Sequence, residues 1–490
     1  MPYVVTQSCC SDASCVVACP VNCIHPAPGE PGFAEAEMVY VDPRSCVDCG
    51  ACATACPVGA IKPHTSLAEA ELPFIALNES YYGDFPHADR TPLAVVPRQR
   101  QRETSGLRLA VVGAGPAGLY TADELLRHPG VTVDVYDRLP TPYGLARSGV
   151  APDHPDTRRV VDLFAAIESQ AGFAYQLGVE VGTDVTADEL GRHYHAVVHA
   201  IGAIGDRSLG VPGEDLPGSL PATTLVQWYN GHPDHRDTLV DLGHERVVVV
   251  GNGNVALDVA RVLTADPASL AGSDIDPGAL ATLRGSRVEE VVVLGRRGPT
   301  EAAFTMPELI GLAGLRDVDV LVSGGAAFTG DSPKTALLRE LSRRTPRPGR
   351  RRIVLRFRTA PVRILGDEQV TGVEVASTDE RGRPVGEPET LGAGMVLRAV
   401  GHRVLPVSGL PYDDAAGRIP HEGGRVRAGA YVAGWLKRGP SGFIGTNKSC
   451  AAETVAALLD DHEAGLLPEP EGSLADVRAM VRSRRPVLVG

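Results

Sequence analysis

A small α+β module held by cysteine ligation, joined to a larger α/β body with two doubly wound sheets, is the fold class this sequence predicts, and three observations predict it. Nine of the ten cysteines lie between Cys9 and Cys56. Beyond them, "LRLAVVGAGPAGLYTADELLRH" from Leu107 and "RVVVVGNGNVALDVARVL" from Arg246 each read as apolar strand, glycine turn and helix. The 490 residues suffice for about three domains at roughly 150 residues each, with room for separate cores.

Charge narrows the partners. The net charge is −13, and the cysteine segment shares the excess: up to Lys62, only Arg44 and Lys62 oppose Asp12, Glu30, Glu35, Glu37, Asp42 and Asp48. Such a surface repels a phosphate backbone, so nucleic acid is not an expected partner. No uninterrupted apolar run reaches the ~20 residues a membrane helix needs, and no basic and apolar leader precedes Cys9. The expected setting is cytoplasmic, without a membrane, where clustered thiols serve as metal ligands and not as disulfides.

Residues 1–64 hold the cysteine module. "CVDCGACATACP", from Cys46 to Pro57, has the spacing C-x2-C-x2-C-x3-C-P of a bacterial ferredoxin. In that pattern three thiolates of one tight loop bind one cubane cluster, and the fourth cysteine, ahead of the proline, ligates the other. Cys46, Cys49 and Cys52 are then joined by Cys19, while Cys56 crosses to Cys9 and Cys15. Zinc ribbons use two separated C-x2-C pairs, which this interleaved internal repeat does not match. Aligned on the final Cys-Pro, the earlier run "CCSDASCVVACP" puts Asp12 where the later one has Cys49. A carboxylate is a harder ligand than a thiolate and holds iron less firmly in a sulfide cluster. The expected centres are a [4Fe-4S] cluster on Cys19, Cys46, Cys49 and Cys52, and a [3Fe-4S] or labile [4Fe-4S] cluster on Cys9, Cys15 and Cys56. Cys10 and Cys23 are left over, Cys23 as a packed thiol and Cys10 as an alternative to Asp12 at the fourth position.

Residues 65–105 show no regular period, contain Pro73, Pro86, Pro92 and Pro97, and end in the polar run "RQRQRETSG". They read as a connector. Phe74, Tyr81, Tyr82 and Phe85 are unusual in a free tether, so part of the segment is expected to pack on a neighbouring domain.

The first strand–turn–helix unit carries Gly113-x-Gly115-x-x-Gly118, and the following strand "VTVDVYD" ends in Asp137. These glycines let the backbone approach a pyrophosphate at the helix N-terminus, and the acid accepts from a ribose hydroxyl. The second unit carries Gly251-x-Gly253-x-x-Ala256, and its next strand, "EEVVVLG", leads to Arg296 and Arg297. Two guanidiniums suit a 2′-phosphate, which an acid would repel. FAD is therefore expected in the first unit and NADP(H) in the second. In two-dinucleotide flavoproteins the chain returns to the FAD domain after the NADP domain, and the strands "GMVLRAVG" and "AYVAGW" fit that return. The full expectation is an α+β ferredoxin module fused to an α/β flavoprotein with two Rossmann-type domains. The FAD domain is discontinuous, 106–215 and 394–464, around an NADP domain at 216–393, with a tail at 465–490 about which the sequence says little.

From Leu107 to Leu459 the motifs "PTPYGLARSGVAPDHP", "WYNGHPD", "GNGNVALDVARVL", "GRRGPTEAAFTMPEL" and "GWLKRGPSGFIGTNKSCAAET" are long and ordered. Through them the chain resembles the adrenodoxin reductase type of ferredoxin–NADP reductase. Its N-terminal segment resembles the seven-iron and eight-iron bacterial ferredoxins, a fusion similar to the ferredoxin-bearing subgroup of actinobacterial reductases. The resemblance implies that Ala117, Asp137, Leu145 and Val181 contact FAD, with Trp435, Gly442, Phe443 and Ile444 closing over the flavin ring. It implies NADP(H) contacts at Arg207, Asn252, Gly253, Asn254, Val255, Arg296, Arg297, Glu308 and Gly442. His154, in "APDHP", matches a position near the flavin; with Glu308 it is the candidate catalytic pair, its other reading being a histidine that holds a loop by hydrogen bonds. Trp435 stands where many related flavoproteins have an Asp, as in the adrenodoxin reductase type.

The expected activity is that of an NADPH–ferredoxin oxidoreductase. NADPH delivers two electrons as a hydride, and a flavin passes them singly to iron-sulfur centres, so no acid–base triad is needed. Fusion makes that transfer intramolecular. The external partner is a one-electron acceptor or donor, such as a ferredoxin or a cytochrome P450-type system. A disulfide reductase would need a cysteine pair beside the flavin, and after Cys56 only Cys450 remains. The other rivals are an electron-input subunit like the small subunit of glutamate synthase, and a non-catalytic redox sensor.

Overall fold

A computed structural model describes residues 2–86, 102–323, 328, 330 and 332–484. Strand Arg108–Val112 is central to the first sheet, and Leu109 to Val112 are buried on both faces, as a central parallel strand requires. Thr132–Asp137 and Phe173–Leu177 follow on one side. Ala196–His199 and Ala430–Val432 follow on the other, all parallel, with Arg425–Arg427 antiparallel at the edge. Helices Pro116–Leu126 and Thr446–Glu463 pack together over one face of this sheet.

The second sheet is wholly parallel, in the order Ser219–Pro221, Met395–Arg398, Arg246–Val250, Glu290–Leu294, Arg351–Arg356 and Val318–Ser323. A three-stranded antiparallel sheet, Thr359–Leu365, Gly372–Thr378 and Pro384–Gly392, covers one of its faces through Ile364, Val373 and Val375. Because Ala430–Val432 rejoins the first sheet after the second is complete, the first unit is discontinuous.

Two expectations need correction, and the tail holds an element about which the sequence said little. "GMVLRAVG" does not return to the first sheet: its strand Met395–Arg398 pairs with Arg246–Val250 in the second. A central parallel strand is apolar on both faces in either sheet, so its sequence does not say which one it joins. The segment after residue 64 is not an aperiodic connector throughout, since Pro73–Asp84 is a helix. Proline at the first helical position is preorganised for a start and not a break. Phe74 is buried there, Tyr81 stacks on Tyr40 at 4.3 Å, and the Tyr82 hydroxyl donates to the carbonyls of Cys23 and Tyr40, so the helix belongs to the cysteine module. Pro92, Pro97 and the start of the polar run lie outside the described residues. Finally, the tail contains helix Leu474–Arg484, which buries Val477 and Val481 against the first sheet while Arg478 binds Asp134 at 2.6 Å.

The cysteine module closes with two antiparallel pairs, Tyr3–Val5 with Ile61–Pro63 and Ile24–His25 with Tyr40–Val41. The five-residue helices Ser14–Ala18 and Ala51–Ala55 follow its two loops. Among the described residues no helix is long and apolar enough to cross a membrane.

Candidate functional site

The two glycine turns share one geometry. Gly113 and Gly251 have φ of 111° and 112°, and a Cβ on either would lie 2.5 or 2.2 Å from the carbonyl oxygen of Ala200 or Ala399. Only glycine fits, because the backbone is left-handed and the neighbouring strand is too close. A Cβ on Gly118 would sit 1.8 Å from the Gly113 oxygen, so the helix can approach the turn only without one. Gly115 and Gly253 cap helices Pro116–Leu126 and Asn254–Thr264 with no side-chain partner for the first N–H groups. Those free donors, at the positive end of each helix, fit the phosphates of a dinucleotide.

Around the first turn, the Asp137 carboxylate accepts from Ala114 N at 2.7 Å and Leu139 N at 2.9 Å. Burial pushes its carboxyl up, partly offset by those two donors. Leu145, more than a third exposed, starts a short helix beside Gly144, whose missing side chain lets it lie against Gly115. Val181 bridges Val185 beyond the end of strand Phe173–Leu177. A Cβ on Gly434, at φ 66°, would be 2.4 Å from that of Ala117, so the segment at Trp435 meets the first turn directly. Trp435 Nε1 donates to Ser441 O at 3.1 Å, and Phe443 N donates to Thr446 Oγ1 at 2.9 Å. Gly442 has φ 83°, and Ile444 packs into the core of the first sheet. Nε and Nη1 of Arg438, between Trp435 and Ser441, are buried without a partner among the described residues. Unpaired donors beside this segment fit a ligand that brings acceptors.

At the second turn Arg296 and Arg297 are exposed at the end of strand Glu290–Leu294, Arg297 lying 3.7 Å from Glu301. Asn254 Oδ1 accepts from Thr305 N at 2.8 Å, the Asn252 amide lies against Gly295, and Val255 packs in the core. Arg207 is exposed, its N–H bound to Gly401 O at 3.1 Å.

His154 and Glu308 come together, with Nε2 3.8 Å from Oε2. Sequence reasoning left out what surrounds them. The Arg261 guanidinium donates to Asp258 at 2.7 Å and Asp153 at 3.1 Å, lies 3.5 Å from Glu308 and also touches His154. Asp258 Oδ1 is 3.4 Å from His154 Nε2. Asp258 and Arg261 stand three apart in "GNGNVALDVARVL", and that spacing of acid and base on one helix face was the available signal. The three acidic and imidazole ligand atoms could hold a metal ion, yet Arg261 already supplies the cation. Burial disfavours protonation of His154, but the hydrogen bond to Asp258 and the two carboxylate charges outweigh it and Arg261, and its pKa is raised. Burial and the Asp258 charge together raise that of Glu308.

In the cysteine module the two loops repeat their backbone. Ser11 and Asp48 have φ of 58° and 61°, and Ala13 and Gly50 have 57° and 77°. The difference at Asp12 and Cys49 is therefore one of side chain. Asp12 is buried, accepts from Ser14 N at 3.2 Å and from the Ser14 hydroxyl, and lies 3.5 Å from Lys448 Nζ. Its carboxylate is thus committed to the loop and to the body of the protein. Cys10 is buried in the core of the first sheet, where Cys9 and Cys56 also pack, and Asp12 is close enough to act on it. Cys23 lies 3.4 Å from Cys19, and as hydrogen-bond donor it holds the thiols of Cys19 and Cys46 down to about 6. Cys9 is pushed up to about 11 and Cys52 to about 12, chiefly by burial. Seven thiols, Cys9, Cys15, Cys19, Cys46, Cys49, Cys52 and Cys56, stand free of disulfides on two like loops, a donor set that fits iron-sulfur clusters and not hard cations.

The module sits on the body at the segment after Ile444. Gly445 N donates to Cys10 O at 2.7 Å, and a Cβ on Gly445 would lie 2.2 Å from Asp12 N. Lys448 Nζ donates to Ser14 Oγ at 2.8 Å. Cys9 and Cys56 pack against the core of the first sheet, whereas Cys49 is exposed at the other loop.

The pyridine nucleotide-disulphide oxidoreductase family matches residues 107–296, and the 4Fe-4S binding domain matches 39–62. A probable ferredoxin/ferredoxin–NADP reductase of Mycobacterium leprae is 50% identical over 99% of this chain and 91% of its own length. The human mitochondrial NADPH:adrenodoxin oxidoreductase is 41% identical over 82% of this chain and 88% of that one. Among solved structures, FprA of Mycobacterium tuberculosis in complex with NADPH superposes with a TM-score of 0.72 at 42% identity, covering 78% of this chain and 90% of that one.

Proposed function

Because the chain belongs to the family of ferredoxin/ferredoxin–NADP reductases, we propose that it oxidises NADPH and passes the electrons through its own iron-sulfur module to an external one-electron acceptor in the cytoplasm. A bound flavin accepts the two electrons of a hydride together and gives them up singly, which iron-sulfur centres require. The balance is one NADPH and two oxidised acceptors giving NADP+, a proton and two reduced acceptors.

The residues divide this work. Gly113, Gly115 and Gly118 would let the FAD pyrophosphate lie on the N-terminus of helix Pro116–Leu126, with Ala117, Asp137, Leu145 and Val181 along it. Trp435 and Gly442 to Ile444 would cover the ring and exclude water. Asn252 to Val255 and Arg207 would hold NADP(H), with Arg296 and Arg297 on its 2′-phosphate. His154 and Glu308, locked by Arg261, would place the nicotinamide against the flavin without moving a proton. Cys19, Cys46, Cys49 and Cys52 would hold a [4Fe-4S] cluster, and Cys9, Cys15 and Cys56 a [3Fe-4S] or labile [4Fe-4S] cluster.

One observation carries this reading. The Cys9–Cys15 loop is bonded to Gly445, the residue after the segment expected to cover the flavin, while Cys49 is exposed. The thiol module thus adjoins the flavin segment with one loop and the solvent with the other. The test is anaerobic: protein with counted flavin, iron and sulfide is given NADPH and ferricytochrome c. Two cytochromes reduced per NADPH, with little rate from NADH, are expected. A protein that binds both nucleotides but reduces nothing is a sensor.

A further inference from the structure

The module that carries the thiols also reaches the site where NADPH is read. Gln7 Nε2 donates to Glu308 Oε2 at 3.0 Å across a sequence separation of 301 residues. Its amide lies in a slot on helix Met306–Ala313 that exists because residue 311 is glycine: a Cβ there would come within 2.5–2.8 Å of three amide atoms. Glu37, from the same module, accepts from Met306 N at 2.6 Å, satisfying a free donor of that helix's first turn, and lies 3.4 Å from Lys334. Helix Met306–Ala313, which bears Glu308, is therefore held at its start and along its face by the module.

We propose that Gln7 is a positioning residue for hydride transfer, fixing the Glu308 carboxylate toward His154 and Arg261. The inference rests on the reading that Glu308 lies at the nicotinamide. The step balances without it: the C4–H bond of the nicotinamide breaks, the hydride carries both electrons to the flavin, and Glu308 keeps its proton count. Gln7 sets where that carboxylate points and how readily it stays ionised among the groups that face it, His154, Asp258 and Arg261, with Asp153 beyond Arg261. Those four belong to the body of the protein, whereas Gln7 comes from the module. Its removal by Gln7→Met keeps the shape and deletes the donor. A buried carboxylate that loses an N–H donor protonates more readily, so the change must appear as a pH effect.

The experiment follows flavin reduction by NADPH in anaerobic stopped flow as a function of pH, with flavin content and the EPR of the reduced clusters recorded on the same samples. In Gln7→Met the acid limb of the rate profile should move up by about one pH unit, the scale of one hydrogen bond to a charged group. The cluster EPR should not change. In a Glu308→Gln background the same substitution should move nothing, since the coupled partner is gone. If Gln7→Met leaves the limb in place, or shifts it equally in both backgrounds, the positioning role is overturned. If Glu308→Gln itself leaves the hydride rate and its pH profile unchanged, the underlying reading of Glu308 fails instead. Should the methionine variant lose flavin, Gln7→Asn, whose amide falls one methylene short of Glu308, provides the same comparison.

Discussion

Replacing Gly445 by alanine tests whether electrons leave the flavin through the packed joint between module and body. Gly445 has an ordinary helical φ of −72°, so its own backbone would accept alanine without strain. The obstacle is across the joint. The new Cβ would lie 2.2 Å from Asp12 N, 2.3 Å from its Cα and 2.4 Å from the Ser11 carbonyl carbon, all backbone atoms that no rotamer change can move. To reach normal contact the Cys9–Cys15 loop must retreat by more than an ångström, stretching the 2.7 Å bond from Gly445 N to Cys10 O and drawing Ser14 away from Lys448. Overpacking of this kind costs about 1–3 kcal/mol. The docked population should fall by a factor of roughly 5 to 150 relative to the undocked one, at about 1.4 kcal/mol per decade. NADPH-driven reduction of ferricyanide, which can take electrons at the flavin, and flavin content should hold, while reduction of ferricytochrome c should drop severalfold or more. A variant with full flavin and wild-type cytochrome rates would refute the view that this joint carries the current.

The remaining expectations can be checked together. Alanine at either Arg296 or Arg297 removes a charge-assisted bond to a 2′-phosphate, so the Michaelis constant for NADPH should rise roughly ten- to hundredfold while that for NADH barely moves; equal losses would refute the assignment. As isolated in air, the protein should show the EPR signal of an oxidised [3Fe-4S] cluster. Asp12→Cys, placed on a loop whose backbone already matches that of Cys49, should abolish this signal and raise the iron count; two stable cubanes in the wild type after air exposure, altered by the substitution in neither, would mean that another residue fills the position. Because the folded-state pKa of His154 is raised, its contribution to stability is fully present below the ordinary value near 6.5 and is lost as pH rises through the raised value. Melting temperatures of wild type and His154→Gln should therefore converge as pH increases, and a gap that widens would reverse the sign.

What could be read in the sequence was whatever is local. The glycines at 113, 118 and 251 answer to a carbonyl within a few residues or on the adjoining strand, and the cysteine spacing answers to one tight loop. Legibility failed where the partner is remote. Met395–Arg398 is equally apolar for either sheet, and only pairing with Arg246–Val250 decides. The helix Pro73–Asp84 hides because the centre of its buried face is Asn78, whose side chain bonds Val5, Val41 and Phe74 in place of apolar contact. The bond of Asp12 to Lys448 was not legible, because the two stand 436 residues apart. His154 and Glu308 could be named, but the salt-bridged frame of Asp153, Asp258 and Arg261 that orients them comes from two separate domains.

The same long separation sets a timetable for making the protein. All strands and helices of the cysteine module lie before residue 85, yet the glycine and lysine that cover its first loop stand far along the chain, at 445 and 448. At about 5–20 residues per second the ribosome needs roughly 20 to 90 seconds to travel from Asp12 to Lys448. Throughout that interval the loop of Cys9 and Cys10 lacks the cover that Gly445 and Lys448 later give it. Iron and sulfide can thus be delivered to the nascent module from the side that folding afterwards shuts. A cluster held by Cys9, Cys15 and Cys56 would in the mature protein be refilled only as fast as the joint at Gly445 opens, so the contact that brings this loop against the segment after Trp435 would also govern its repair.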